Sequence, residues 1–482
     1  MEPIQPINPT PLPVSGAVGV LTRHKVFWLV VLAVASFHLA YLKPALSFLM
    51  VGYLFGLQEL TYLKSSKTSS YLGLLLGLLV FGPQMDCLWT IFGPAAIGLW
   101  LVLAFWIRLF LVLACSVRAR FDRFLAAVII PCLWTGLEYF RSELYYLRFT
   151  WLNAGYAFSG ASPWIPTKSL GVYGIGFCLM AMIGLVSLLH KKARWGTLLG
   201  ITGILAVLVN LPMPALNTNP EHDFGRVQVA GIQLEFPSER EVVPRLNQLI
   251  KAHPEAQLLV LSEYTFNTLI PKEVRDWCRT NHRYLIAGGH DPVSEREYFN
   301  TAFVVGPDGE IVFRQAKSVP IQFFKDGLPA TEQKIWNSPW GKIGLCICYD
   351  LSYTRVTDQL IRLGAQAIIV PTMDVIDWGR HQHELHARIA PTRAAEYGVP
   401  IFRLASSGIS QQVNAHGRVL RSAPFGAEGG ILAGTMVLAG PGSLPLDRLI
   451  SPIATGVVLA TMLSLLVLML QKKGKIPSGQ VT

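Results

Sequence analysis

The chain has 482 residues, 51% of them hydrophobic and 15% charged, with a mean hydropathy of +0.41, which is too apolar for soluble domains alone. Part of it belongs in a membrane, and the composition excludes a disordered chain, a coiled coil and a small disulfide-stapled scaffold, because the seven Cys are sparse and odd in number. The net charge of +11 does not mark a nucleic-acid partner: residues 226–440 hold 22 Lys+Arg against 21 Asp+Glu and the rest 19 against 9, so the excess sits with the hydrophobic segments.

A Pro-rich leader (Pro3, Pro6, Pro9, Pro11, Pro13) opens the chain and lacks the small-residue cleavage site of a signal peptide. It reads as a cytoplasmic tail, residues 1–24. Apolar segments long enough to cross a hydrocarbon core of about 30 Å follow at 26–42, 44–62, 70–84, 88–113, 124–140, 169–189 and 196–213, with an eighth at 449–470. Short cytoplasmic loops are the basic ones, and the distribution of Lys and Arg alternates accordingly. One set of loops holds thirteen (Arg23, Lys25; Lys64, Lys67; Arg118, Arg120, Arg123; Lys191, Lys192, Arg194; Lys472, Lys473, Lys475), the opposite set only Lys43, Arg141, Arg148 and Lys168. Both termini are therefore expected inside. The expected organisation is a transmembrane domain over 25–215, an external domain over 226–440, a C-terminal transmembrane helix over 447–471 and a cytoplasmic tail over 472–482.

The external part reads as α/β, with strands and helices in alternation. Strands are expected at Val227–Gln233, Ala256–Ser262, Tyr284–Gly288, Phe299–Val305, Glu310–Arg314, Ile343–Cys348 and Ala367–Pro371. Helices are expected at Arg240–His253, Lys272–Thr280, Tyr353–Leu363 and His383–Tyr397, and Gly306-Pro-Asp-Gly309 reads as a hairpin turn. Two-layered αβ packing suits this order.

Three reactive residues stand at the ends of apolar runs. Glu263 ends Leu258-Leu-Val-Leu-Ser-Glu263, Cys348 ends Ile343-Gly-Leu-Cys-Ile-Cys348, and Lys317 follows Ile311-Val-Phe-Arg314. A Cys is a weak nucleophile as the thiol, so a base to take its proton and a cation to hold the anion complete a covalent site. By spacing alone the trio reads more readily as a capping Glu, a surface Lys and a buried structural Cys.

The segments Leu259-Val-Leu-Ser-Glu-Tyr-Thr-Phe266, Ile347-Cys-Tyr-Asp350, Arg393-Ala-Ala-Glu-Tyr-Gly398 and Arg403-Leu-Ala-Ser-Ser-Gly-Ile-Ser410 resemble the nitrilase superfamily, in that family's order. Trp134-Thr-Gly-Leu-Glu-Tyr-Phe-Arg141, Phe149-Thr-Trp-Leu-Asn-Ala-Gly-Tyr156 and Ser169-Leu-Gly-Val-Tyr-Gly-Ile-Gly-Phe177 resemble the membrane part of the apolipoprotein N-acyltransferases. The resemblance covers roughly 25–470. It implies an αββα sandwich outside a membrane domain of about eight spans. It also implies Glu263 as general base, Lys317 as the oxyanion-stabilising cation and Cys348 as nucleophile, with Tyr349, Asp350, Arg393 and Glu396 in support. The implied reaction takes an acyl chain from a phospholipid onto the cysteine as a thioester, then passes it to the amine of a diacylated apolipoprotein. No cofactor, metal or nucleic acid is expected, and the expected state is a monomer in a bacterial inner membrane with the catalytic domain on the periplasmic side.

The chain departs from the family's pattern around the lysine. Lys317-Ser-Val-Pro320 is shorter than usual and lacks the Glu that closes the motif, leaving Gln322 or Asp326 as replacements and Lys325 as a rival cation. Asp350 stands where Glu is common, and a Trp common after the first strand is missing, Phe236 being nearest. Cys346 is expected on the same side of the strand as Cys348, while Cys87, Cys115, Cys132, Cys178 and Cys278 read as small apolar residues. His383-Glu-Leu-His386, near His381, is one residue short of a helical zinc motif. Glu138 and Arg141 at membrane depth suit a mutual ion pair or a lipid headgroup, the pair being favoured, and Phe323-Phe324 suits an acyl or lid contact as well as core packing. Two other functions use the same chain: a membrane-tethered amidase with water as acceptor, and a non-catalytic assembly factor that keeps the fold.

Overall fold

The computed structural model describes residues 21–160, 162–212, 224–426 and 428–473. The Pro-rich leader, the connection 213–223 and residues 474–482, Lys475 among them, lie outside the described residues.

Long apolar runs closed by polar caps become helices, because in lipid every backbone group needs a partner within its own segment. Helices α1 (Arg23–Leu42), α2 (Met50–Leu60), α3 (Ser66–Gln84), α4 (Cys87–Phe92), α5 (Ala96–Arg120), α6 (Arg123–Tyr139), α7 (Thr167–Val186) and α8 (Lys191–Asn210) follow one another. The side chains of Thr22, Ser65 and Asp122 accept first-turn N–H groups of α1, α3 and α6. A 3-10 turn joins α4 to α5, so the chain is helical from Cys87 to Arg120. With the C-terminal helix, a helix stands at each of the eight expected spans. Six of them, 23–42, 87–120, 123–144, 167–186, 191–210 and 447–471, have the length and apolarity to cross a membrane among the described residues, and Pro44–Leu60 is a shorter apolar helix.

Past the connection, β1 (Arg226–Ile232), α9 (Glu239–Ala252), β2 (Leu258–Val260), α10 (Lys272–Asn281), β3 (Tyr284–Pro292), β4 (Tyr298–Val305) and β5 (Ile311–Ala316) come first. They are followed by β6 (Ile335–Ser338), β7 (Gly341–Leu345), α11 (Thr354–Arg362), β8 (Ala367–Thr372), α12 (Arg380–Ala387), α13 (Ile389–Tyr397), β9 (Ile401–Ala405), β10 (Ser410–Val413), β11 (Val419–Ala423), β12 (Ile431–Val437) and α14 (Asp447–Lys473). Two six-stranded sheets result, in the orders β12-β1-β2-β3-β4-β5 and β11-β10-β9-β8-β7-β6. The central strands β1, β2 and β3 run parallel, as do β7, β8 and β9. Val242, Leu246 and Leu249 of α9 and Val274 and Trp277 of α10 bury against Leu259 and Leu285 of the first sheet. Leu258, Val260 and Ile286 turn to the other side and join Ile343, Leu345, Ile368 and Val370 of the second sheet, in a cluster continuous with the membrane helices. This is an αββα sandwich, its second outer layer formed by α11 and α13, with α7 packed on α13.

Three local readings change. The strand expected to run to Cys348 ends at Leu345, and a 3-10 turn begins at Cys348, so Cys346 and Cys348 do not share a strand face. The helix expected over His383–Tyr397 breaks into α12 and α13 at Arg388: Pro391, without an N–H, fits only a first helical turn and forces a restart. Glu138 and Arg141 form no ion pair: Glu138 Oε1 accepts the Ala154 N–H at 2.8 Å, and Arg141 donates to Asn153.

Candidate active site

Parallel strands deliver side chains past their carboxyl ends, and β2, β7 and β8 do so here at one place. Glu263, just beyond β2, is buried to 1% exposure. It sits where it does because β3 has no side chain at Gly288, where an added Cβ would stand 2.6 Å from Glu263 Cα. Glu263 Oε1 accepts from Lys317 Nζ at 2.8 Å and from Asn300 Nδ2 at 2.6 Å, and Oε2 accepts the Met373 N–H at 2.7 Å. The carbonyl of the same Met373 lies 3.4 Å from Cys348 Sγ. One residue after β8 thus touches both Glu263 and Cys348. Cys348 has φ +49°, a left-handed conformation that costs a non-glycine residue about 1–3 kcal/mol.

Lys317, entirely buried, also meets Asp326 Oδ2 at 2.7 Å. Asp326 is held by Tyr264 OH at 2.6 Å, the Ile321 N–H at 2.7 Å and Asn300 Nδ2 at 2.9 Å. Of the residues weighed as replacements for the missing Glu, Asp326 therefore reaches the lysine, whereas Gln322 points to the Tyr146 carbonyl. Lys325 lies exposed on the surface. Asp350 does not touch the reacting groups. It accepts the N–H groups of Val319 at 2.7 Å, Ser318 at 3.0 Å and Ile347 at 3.3 Å, pinning the segment after Lys317 to the nucleophile's turn. Tyr349 OH donates to the Arg148 carbonyl at 3.2 Å. Arg393 donates to the carbonyls of Ser352 at 2.7 Å and Leu351 at 3.2 Å and pairs with Glu396, bracing the same turn from behind. Phe236, with φ +44°, is largely exposed.

The electrostatics favour a resting thiol. Burial raises the Cys348 thiol well above its ordinary value, the Glu263 carboxylate raises it further, and Lys317 opposes them. Burial also raises Glu263, against the pull of Lys317. Burial works to lower Lys317, yet Asp326 and Glu263 hold it well above the usual range. Burial pushes Asp350 up to about 6.

Sequence reasoning did not find Asn300 or the Met373 backbone, nor a neighbouring cluster in which Asp374 pairs with Arg403 and lies 2.7 Å from His386 Nδ1. Trp151 stacks on His386 with centroids 4.7 Å apart. Asn300 left a trace, a polar residue in the largely apolar run Phe299–Val305, and His386 and Arg403 stand in segments already singled out, whereas Met373 and Asp374 left none.

Cys348 lines a cavity of about 150 Å³ whose other walls are mostly apolar: Leu88, Phe92 and Val102 of the membrane helices, Phe149, Trp151 and Phe324. Phe92 meets Phe323 and Phe324 edge-on at 5.9 and 5.8 Å, so the segment after Lys317 closes against a membrane helix.

The fold and this cluster define a class, an enzyme of carbon-nitrogen hydrolase type carried on membrane helices, and residues 243–440 match the carbon-nitrogen hydrolase family. Residues 28–186 match the apolipoprotein N-acyltransferase N-terminal domain. The apolipoprotein N-acyltransferase of Shewanella oneidensis is 23% identical over 399 residues, covering 72% of this chain and 76% of that protein. That of Geobacter metallireducens is 23% identical over 365 residues, covering 65% and 69%. A carbon-nitrogen hydrolase structure from Helicobacter pylori G27 is 21% identical, with a TM-score of 0.39, covering 45% of this chain and 90% of that one. The chain belongs to the apolipoprotein N-acyltransferase family, the membrane-bound branch of the nitrilase superfamily. It is an acyltransferase, and six of its described helices are long and apolar enough to cross a membrane.

Proposed function

We propose that this chain N-acylates the diacylglyceryl-cysteine at the N-terminus of apolipoproteins, with a phospholipid as acyl donor and Cys348 as the carrier. The observation that carries this is the meeting of Glu263 and Cys348 on Met373, beside Lys317, in the wall of an apolar cavity lined by membrane helices. Residues 25–215 and 447–471 hold the site in the bilayer, 226–440 lies on the periplasmic side, and both termini are cytoplasmic.

Glu263 takes the Cys348 proton as sulfur attacks the ester carbonyl of the phospholipid. Lys317 has three N–H groups; two face Glu263 and Asp326, and the third is available to the oxyanion, where a placed donor is worth about 10²–10³ in rate. Collapse of the tetrahedral intermediate leaves the acyl chain on Cys348, and Glu263 returns its proton to the departing lysophospholipid alkoxide. The amine of the apolipoprotein then attacks the thioester, Glu263 accepts a proton from it, and the released sulfur recovers one as the amide departs. Two substrates use one site in turn, which gives ping-pong kinetics. Thioester aminolysis is downhill and calls for no nucleotide.

The test is to supply the purified chain with phospholipid and then with a diacylated lipopeptide, and to follow products by mass spectrometry. A triacylated lipopeptide with stoichiometric lysophospholipid supports transfer. Free fatty acid with no acylated peptide would replace it by a hydrolase, and no turnover at all would make the chain a non-catalytic factor.

A further inference from the structure

The membrane domain holds a second cavity, of about 20 Å³, which Cys348 does not line. Phe81 of α3 and Phe110 of α5 belong to its apolar wall, yet four polar side chains also reach it: Trp106 of α5, then Trp134, Glu138 and Arg141. The last three stand four and three residues apart, the spacing that puts side chains on one helix face. Arg141 lies in the π-type turn Phe140–Leu144 that continues α6, and widened turns of this kind sit mostly at functional positions.

All four side chains are at most 8% exposed, and each leaves a polar atom without a hydrogen-bond partner: Trp106 Nε1, Trp134 Nε1, Glu138 Oε2 and Arg141 Nη1. The remaining arms of the charged residues are committed to one loop, Glu138 Oε1 to the Ala154 N–H at 2.8 Å and Arg141 Nη2 to Asn153 Oδ1. Neither residue forms an ion pair among the described residues, and Arg141 lies over the Phe81 ring, 5.3 Å from its centre. Glu138 Oε2 and Trp134 Nε1 face the same bare spot on α7, where a Cβ added at Gly176 would stand 3.2 Å from the oxygen and 3.7 Å from the nitrogen.

A buried N–H or carboxylate oxygen with no partner is costly in apolar surroundings. Folded proteins satisfy such groups with buried water where the cavity is polar enough to give it two to four hydrogen bonds. About 10–15 Å³ holds one water, so this cavity suits water and is far too small for a lipid headgroup or an acyl chain. The polar atoms also match, since a water accepts from two donors while donating to a carboxylate. We infer that an ordered water occupies this cavity and bridges Glu138 Oε2 to Arg141 Nη1, with Trp134 Nε1 as its third partner. The bridge completes an ion pair that the two side chains do not make directly. It also acts on the active site at a distance, because Asn153 and Ala154, which the pair holds, follow Trp151, a wall of the Cys348 cavity that stacks on His386. It does not rest on the proposed function.

The test is a cryo-EM map of the full-length protein in nanodiscs, at a resolution that shows ordered water, with thermal unfolding and hydrogen exchange of variants. The expected map has one compact peak within hydrogen-bond distance of Glu138 Oε2, Arg141 Nη1 and Trp134 Nε1. Trp134→Phe keeps a ring and removes the N–H, and Glu138→Met keeps the length and removes both oxygens. Each is expected to weaken or abolish the peak and to lower the Tm. Peptides across 149–156 are expected to exchange faster in Glu138→Met than in Glu138→Gln, whose carbonyl oxygen still accepts from Ala154; equal exchange would overturn the link to the loop. Direct contact of Glu138 with Arg141, elongated lipid or detergent density, or a cavity without a peak in a map that shows water at other buried polar sites would overturn the water site. So would a peak and Tm unchanged in Trp134→Phe. If Glu138→Met fails to fold, the map of the unsubstituted protein and Trp134→Phe still decide.

Discussion

Lys317 lies between two carboxylates, so the group facing Cys348 carries two negative charges and one positive. That balance favours the protonated sulfur, and under the proposed function Glu263 is the group that takes its proton. Glu263→Gln is expected to lower the acylation rate by about 10²–10⁴, measured by single-turnover thioester formation. Because Glu263 must be unprotonated to act and burial raises its carboxyl, the acid limb of kcat/KM is expected above the ordinary carboxylate range. Asp326 raises Glu263, so Asp326→Asn is expected to slow the reaction and move the acid limb to lower pH; a purely structural Asp326 would leave the limb in place. The three reactive residues are legible in the sequence because each interrupts or follows an apolar run at a strand end. Asp326 is legible only as one of two choices, since the loop that returns it to Lys317 has no sequence signature. Met373 acts through its peptide group, which any residue type could supply, and no pattern of side chains reveals it.

The elements are joined by charge as well as by packing. Arg448, at the start of α14, meets Asp358 of α11 at 2.8 Å and Glu396 of α13 at 3.1 Å, and Glu396 accepts the Val172 N–H of α7 at 3.2 Å. Membrane helices are thereby linked through Arg393 to the turn that carries Cys348. Burial works to raise Glu396, yet Arg448 and Arg393 hold it down at about 2. A depressed carboxylate stabilises the fold above its unfolded pKa, so this contribution is present above pH 4.5 and is lost as pH falls from 4.5 toward 2. Glu396→Gln is expected to cost about 3–5 kcal/mol, as when one partner of a buried pair is removed, and to flatten that acid dependence in unfolding followed in detergent. At the neighbouring junction Gly171 has φ +74°, and an added Cβ would meet Asp447 Oδ2 at 2.2 Å; Gly171→Ala is expected to lower the Tm. The long strands and helices are legible from periodicity. Strands β6, β9, β10, β11 and β12 are not: β6 and β10 have only four residues each, and β9 and β10 carry the polar Arg403, Gln411 and Gln412 in buried positions.

At the scale of the molecule, a nitrilase-type sandwich sits on membrane helices so that Cys348 lines a cavity whose walls include side chains of those helices. Hydropathy and basic loops locate the helices, but a wall assembled from α4, α5 and two distant loops is a product of tertiary packing and cannot be read from one segment. If this cavity receives the acyl chain, Val102→Trp shortens it, and the donor preference is expected to shift to shorter chains, read from competition between matched phospholipids; an unaltered preference would place the chain elsewhere. The most direct test of the whole account is the intact mass of the purified chain after exposure to phospholipid alone. The account predicts one added acyl group that hydroxylamine removes and that Cys348→Ala never acquires. An unmodified chain, or an adduct that survives Cys348→Ala, would contradict it.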